Sequence, residues 1–330
     1  GTNFGNIIVY FALFEVALAA RYDIEKRKVD NNVPKVSPQT PGFGAFGSPV
    51  CPGGSVGCSY FVNPFFNLPA NAALSEIPSR SRTYEQLQPK ISINWQPSDE
   101  LAIFGSYGYG FRSGGFNSSG TTATLQQFFG SLTLDDGTPN LNGLADEFKK
   151  EVSKAAEVGF KARLIGGDLR LNGALFLTDS ENQQDFSFFA GPFGSLRVVT
   201  NIDKAQSKGV EFDFEWRAAE FLKLYGGIGY VDTEIQEYAV RPYTVGNKLP
   251  YTPNYNGNIG VEFNIPLATD LQVVARVDEI FVGKTRFSPV QQQSLPNFFT
   301  AFGFGQGDFS KQFRDPYQVT NVNVTLEANR

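Results

Sequence analysis

Apolar and polar residues alternate with a period of two through one segment after another of this chain, and that pattern restricts the fold more than any other feature. In residues 90–96, Ile91, Ile93 and Trp95 alternate with Lys90, Ser92 and Asn94. In residues 101–112, Leu101, Ile103, Tyr107, Tyr109 and Phe111 share one side, while Ala102, Phe104, Ser106 and Arg112 share the other. Val158, Phe160 and Leu164 oppose Glu157, Lys161 and Arg163, and Leu169, Leu171, Leu175 and Leu177 oppose Arg170, Asn172 and Thr178. Val210, Phe212, Phe214 and Trp216 oppose Glu211, Asp213, Glu215 and Arg217. Ile259, Val261 and Phe263 oppose Glu262, and Val273, Ala275 and Val277 oppose Arg276. The pattern predicts about eleven strands, each able to supply the ~9–11 residues that a membrane strand needs.

The connections alternate in length. Residues 96–99, 165–168, 218–220 and 267–270 are short and rich in Gly, Pro, Asp and Ser, as hairpin turns require. Residues 31–83, 114–147, 239–251 and 288–316 are long, with a shorter link near Gly191-Pro192. Short turns at one end and long loops at the other are the layout of a transmembrane barrel. A soluble β-sandwich also alternates, but its connections are mostly short and its charged side is less dense. Tyr22, Trp95, Tyr107, Tyr109, Trp216 and Tyr230 end the apolar sides, as interfacial aromatic girdles do. The junction from Leu13-Phe14-Glu15 into Val16-Ala17 has no turn-forming residue, so a hairpin turn is expected to be missing there. No repeat or linker divides the chain, and residues 1–330 are expected to be one architectural unit.

Composition removes several function classes. Lys and Arg number 28 against 33 Asp and Glu, a net charge of −5 with no basic block, so nucleic acid is not an expected partner. The chain has no His, which removes the commonest general base and metal ligand. No apolar run approaches the ~18 residues of a membrane helix. Nothing at Gly1 resembles a signal peptide, and the chain stops just after an expected strand, so a mature or partial chain is expected.

Several segments resemble the barrel of the TonB-dependent outer-membrane receptors. They are residues 88–99, then Gly105-Ser106-Tyr107 and residues 110–117, then Glu157-Val158-Gly159-Phe160-Lys161 with residues 169–176. Asn201 through Ala205 with Ser207-Lys208-Gly209-Val210-Glu211, and Leu249-Pro250-Tyr251-Thr252-Pro253, continue the resemblance in order. It implies an all-β, antiparallel transmembrane β-barrel in the bacterial outer membrane. This chain would be a part of a closed barrel of about 22 strands, with the plug domain outside the sequence. The resemblance further implies active transport, powered by an inner-membrane energy-coupling protein that pulls on the plug. The expected cargo is a ferric siderophore, with aromatic compounds, oligosaccharides or passive porin diffusion as alternatives. No enzymatic activity and no resident cofactor or metal are expected. In this geometry Glu157, Lys161, Arg163, Glu211, Asp213, Glu215, Arg217, Glu262 and Arg276 line the lumen and face the plug.

The long loops are rich in Phe. Phe65-Phe66, Phe128-Phe129, Phe188-Phe189 and Phe298-Phe299 are candidate contacts for a small-molecule ligand, with Arg112 at a strand mouth as a candidate for an anionic group. The competing reading has the rings packing on one another, on outer-membrane lipid and lipopolysaccharide, or on a loop-associated partner protein. Cys51 and Cys58 lie in a Gly-rich loop and are expected to form a local disulfide, since zinc needs more ligands than two Cys.

Overall fold

A computed structural model describes residues 2–32, 34–38, 48–50, 60–118, 120–131, 144–191, 194–291, 294–295, 300 and 303–328. Eleven strands form one antiparallel sheet, each beside its neighbour in sequence. They are β1 (Thr2–Phe11), β2 (Phe14–Val29), β3 (Arg80–Ser98), β4 (Leu101–Arg112), β5 (Glu151–Leu164) and β6 (Leu169–Gly191). They continue as β7 (Gly194–Ala219), β8 (Leu222–Glu237), β9 (Tyr255–Ala268), β10 (Leu271–Val282) and β11 (Tyr317–Ala328). The sheet is open, with β1 and β11 at its edges. Unpaired backbone edges are costly in hydrocarbon, so closure takes strands beyond these eleven.

Directly paired residues share a face of the sheet, so the register tests the alternation. Leu171 pairs with Phe214, Gly173 with Phe212 and Leu175 with Val210, while Asn172 pairs with Asp213 and Arg170 with Glu215. The apolar set remains exposed: Phe212 is 38% accessible and Ile93 44%. A soluble barrel would have sealed these side chains in a dry core. Among the described residues the apolar face is left exposed and suits lipid.

Three details differ from the sequence expectation. The missing turn between β1 and β2 is present, built by Ala12-Leu13 with Ala12 at φ 42°. A non-glycine residue there costs about 1–2 kcal/mol, and the continuous pairing from Thr2↔Asp23 to Phe11↔Phe14 offsets it. Secondly, β6 and β7 span 23 and 26 residues and pair to Gly191↔Gly194, so Phe186, Phe188 and Phe189 are strand residues rather than loop residues. The β2–β3 hairpin likewise pairs up to Val29↔Arg80, shortening the first expected loop. Thirdly, the connection between β4 and β5 contains a helix, α1 (Thr121–Phe129).

The conventional core lies at the long-loop end. Leu125, Phe129 and Val198 form one buried cluster, and Ile202, Ala205, Ile235, Tyr238 and Leu249 form another. Both sit above the charged step that ends the apolar face of β7 at Val210. Burial of apolar side chains therefore holds the extracellular cap together, while lipid solvates the apolar face of the sheet below.

Candidate functional site

The lumenal wall follows from the strand alternation. Glu157, Lys161 and Arg163 share a face with Asn172 and Arg170 across the β5–β6 pair. Glu211, Asp213, Glu215 and Arg217 share it with Gly229, Gly227, Tyr225 and Lys223 across β7–β8. Lys223 pairs with Glu262, and Glu262 with Arg276. All nine residues expected to line the lumen thus lie on the face opposite Phe212.

Part of this charge is matched locally. Glu215 contacts Lys223 at 2.9 Å and Arg170 at 3.7 Å, and Arg217 reaches Asp168 at 3.6 Å. Asn172 donates to Asp213 at 2.8 Å. The Arg276 guanidinium donates twice to Asp278, at 2.7 and 2.9 Å, and lies 4.9 Å over the Tyr225 ring. The Tyr225 ring itself lies across Gly260, where an added Cβ would fall 2.3 Å from a ring carbon. Lys223, Tyr225, Glu262 and Arg276 border a dent of about 350 Å³ in this wall. The sequence reading did not single out Lys223, Tyr225 or Asp278 as site residues. Carrying the alternation of Leu222, Leu224 and Ile228 to the odd positions would have found Lys223 and Tyr225.

Above the membrane the connections fold onto the β6–β7 extension. Helix α1 begins at Gly120, which has no side chain to cap it. Asp146 does so instead, accepting from the Gly120 N–H at 3.2 Å, the Thr122 N–H at 3.0 Å and the Thr122 hydroxyl at 2.8 Å. A carboxylate there also favours the positive end of the helix dipole. Asp146→Ala should cost about 1 kcal/mol of local stability, seen as faster amide exchange over residues 120–125; unchanged exchange would rule the cap out. Asn117 pairs both ways with the Val199 backbone, accepting from its N–H at 2.8 Å and donating to its carbonyl at 2.9 Å. It acts where β8 no longer runs beside β7, whose pairing with β8 ends at Lys204.

Several of the expected ligand contacts lie within this packing. Phe66 is 3% exposed, with Phe65 edge-on at 5.2 Å and the Lys35 ammonium 5.3 Å over its ring. Phe129 is 4% exposed and meets Phe189 edge-on at 5.8 Å. Phe66, in the turn at Pro64–Asn67, and Phe129, at the end of α1, are thus buried in the cap, and Phe189 packs partly buried against Phe129. Phe128 lies on the same helix. Arg112 ends β4 opposite Glu151 and is exposed. Phe298, Phe299, Cys51 and Cys58 lie outside the described residues.

Phe188 does remain open, at 65% exposure, and it belongs to an aromatic strip. Phe188 meets Phe186 edge-on at 5.8 Å, and Tyr251 stacks on Phe186 at 6.2 Å with the planes 17° apart. Phe287 lies 6.0 Å from Tyr251. The Arg197 guanidinium sits 4.8 Å from the Phe186 ring centre. Tyr251 holds φ 60°, a conformation costly for a bulky residue, and its N–H donates to the Arg286 carbonyl at 2.7 Å. Three chain segments thus converge on one exposed strip with a cation beside it. Arg197, Tyr251 and Phe287 were not among the candidate contacts read from the sequence; a local signal was Tyr251 set between Pro250 and Pro253.

On the opposite face of the same extension Asp185 is buried, and one of its carboxylate oxygens has no partner. Burial pushes its pKa up to about 6, against the pull of the Arg241 charge and a hydrogen bond from the Phe186 backbone. Tyr238 lies nearby, bonded to the Thr200 hydroxyl at 2.6 Å, and burial lifts its pKa to about 12.

Solved structures share this fold. The ferric yersiniabactin uptake receptor FyuA from Yersinia pestis aligns with a TM-score of 0.60 at 14% identity, covering 98% of this chain and 37% of that one. BauA, the ferric preacinetobactin receptor from Acinetobacter baumannii, aligns at 0.58 and 12%, covering 100% and 36%. The closed form of the ferric-catecholate import receptor Fiu from E. coli K12 aligns at 0.54 and 16%, covering 98% and 38%. This chain therefore spans little more than a third of the length of each. The family model described as TonB dependent receptor-like, beta-barrel, matches residues 13–329. By that match, and by an open antiparallel sheet with one face for lipid and one for a wet lumen, the chain belongs to the TonB-dependent receptors of the bacterial outer membrane, as part of their β-barrel.

Proposed function

We propose that this barrel segment serves the energised uptake of a scarce extracellular ligand, a ferric siderophore, captured at its long-loop end. The observation that carries this reading is the strip of Phe186, Phe188, Tyr251 and Phe287 with Arg197 beside it. Exposed rings held by packing are costly in water unless they are covered in use. Flat apolar faces next to a guanidinium match an anionic chelate with aromatic parts. The cargoes in the names of the three relatives, ferric yersiniabactin, ferric preacinetobactin and a ferric catecholate, support the same class. Below the strip, the charged wall from Glu157 to Arg276 would hydrogen-bond a plug. The plug would be displaced by an inner-membrane energy-coupling protein, letting cargo pass.

The test is a binding titration on the full-length receptor with a panel of ferric chelates. Tyr251→Ala combined with Phe188→Ala should weaken the cognate chelate about tenfold, as two aromatic contacts of ~0.5–1.5 kcal/mol each imply. Outer-membrane levels should not change. Equal affinity in the double variant would remove the strip from ligand capture. Uptake that persists without the energising protein would favour a passive porin. Growth supported by oligosaccharides or aromatic carbon sources, and by no iron chelate, would replace the cargo class.

A further inference from the structure

Phe186 and Phe188 of the exposed strip are strand residues, but Tyr251 and Phe287 stand on connections, where a ring keeps one place only if its backbone is tied down. The β8–β9 connection is tied to β8. The Gly246 N–H donates to the Ile235 carbonyl at 2.8 Å, the Ile235 N–H to the Asn247 carbonyl at 2.9 Å and the Leu249 N–H to the Thr233 hydroxyl at 3.0 Å. The Lys248 ammonium pairs with Asp232 of β8, and Leu249 is buried with Ile202, Ile235 and Tyr238. The β10–β11 connection meets this body at Gln291, which is 4% exposed. The Gln291 amide donates to the Lys248 carbonyl at 2.5 Å and to the Ser288 carbonyl at 3.2 Å, and its oxygen accepts from the Lys248 N–H at 3.3 Å. One side chain thus takes both main-chain groups of Lys248, as a neighbouring strand would. Asn247 adds a bond to the Pro289 carbonyl at 2.9 Å. Beside this clasp the Tyr251 N–H meets the Arg286 carbonyl, and Phe287 follows at once in the chain.

We propose that Gln291 is a positioning residue for ligand capture: its amide fixes the β10–β11 connection to the β8–β9 connection, and so holds Phe287 beside Tyr251 and Tyr251 over Phe186. The inference rests on the strip as the capture surface. An amide offers a donor and an acceptor side by side, which is what the N–H and carbonyl of one residue require. Leucine would leave both Lys248 groups unmet, and a carboxylate would set an acceptor against the Lys248 carbonyl. The depth of the site makes this stringent, because little water is at hand to replace a lost partner. Neighbouring charge does not do the same work: the Lys248 ammonium is taken by Asp232, and the Arg286 guanidinium donates to the Gln291 main-chain carbonyl at 3.4 Å. Rings held before the ligand arrives lose less freedom on binding, so the clasp contributes to affinity without touching the ligand.

The test uses the full-length receptor in which Tyr251, Phe287 or Phe129 is replaced, one at a time, by its fluorinated analogue and read by fluorine NMR. Gln291→Leu should move the resonances at Tyr251 and Phe287 and leave that of Phe129, buried in the α1 cap, unchanged. Gln291→Glu keeps the size and polarity of the side chain but loses the bond to the Lys248 carbonyl, and it should move the same two resonances. Titration with ferric tris-catecholate, formed from iron and free catechol as a simple aromatic anionic chelate, should show about tenfold weaker binding by both variants, as the loss of two aromatic contacts implies. Unmoved resonances at Tyr251 and Phe287 in both variants, or an equal movement at Phe129, would overturn the positioning role. Displaced rings with unchanged affinity would keep Gln291 as the residue that holds them and would overturn the strip's part in capture instead.

Discussion

Phe212→Arg should prevent assembly of the receptor, while Glu211→Arg, one residue earlier, should leave it intact. On β7 the apolar face runs from Val210 to Trp216, with Lys208 above and the end of the strand at Ala219 below. Phe212 therefore lies near the middle of the hydrocarbon. An arginine at that depth costs about 2–4 kcal/mol, and Phe212 has only Gly173 and Ile228 as its cross-strand partners. Glu211 points the other way, where it borders a hydrated dent together with Glu157 and Lys90. Arginine there meets water and a carboxylate, and its cost should stay within about 0.5 kcal/mol. The measurement is the outer-membrane yield of heat-modifiable protein for each variant. Normal levels of Phe212→Arg would mean that the assigned faces are reversed.

The pair of variants shows why so much of the sheet was legible in the sequence. Side-chain direction alternates along a strand by covalent geometry, and hydrocarbon on one face enforces an apolar residue at every second position. Leu171, Leu175, Phe212 and Ile259 carry that constraint, as do Arg170, Asp213 and Glu262 on the wet side. The strand count and the lumenal set follow from it. The cap obeys no such period. Phe66, Phe129, Phe186 and Phe188 look alike in the sequence, yet two are sealed and two are open. The difference lies in long-range packing: α1 closes over Val198, and Pro64–Asn67 lies against α1. Helix α1 gave little warning because its cap comes from Asp146, distant in the chain, rather than from its own first residue. The Ala12-Leu13 turn was unreadable for a related reason, since pairing along the whole hairpin forces a conformation that Ala12 alone disfavours. Tyr251 is the same case at the candidate site.

The stability of the β6–β7 extension should depend on pH through Asp185. The residue is 7% exposed, and its pKa is raised from 3.8 to about 6 by burial. The groups that face it are Arg241 and Tyr238 from the β8–β9 connection and the Phe186 backbone. Arg241 lowers the shift without cancelling it. Between the two pKa values the folded extension binds more protons than the unfolded chain, so its stability falls as pH rises through that window. The contribution is fully present below about pH 4 and is lost once pH passes about 6. The carboxylate's cost at neutral pH is then ~3 kcal/mol, from roughly two pKa units at 1.36 kcal/mol each. Asp185→Asn removes the charge while keeping the shape. It should slow amide exchange of residues 185–202 at pH 7, after correction for intrinsic exchange rates, and it should abolish the difference between pH 5 and pH 7 that wild type shows. A wild-type hairpin with no such difference, or an Asn variant that keeps it, would mean that Asp185 is solvated or paired. The lipid-facing strands should show no matching change, because their apolar face carries no titrating group between Val210 and Trp216.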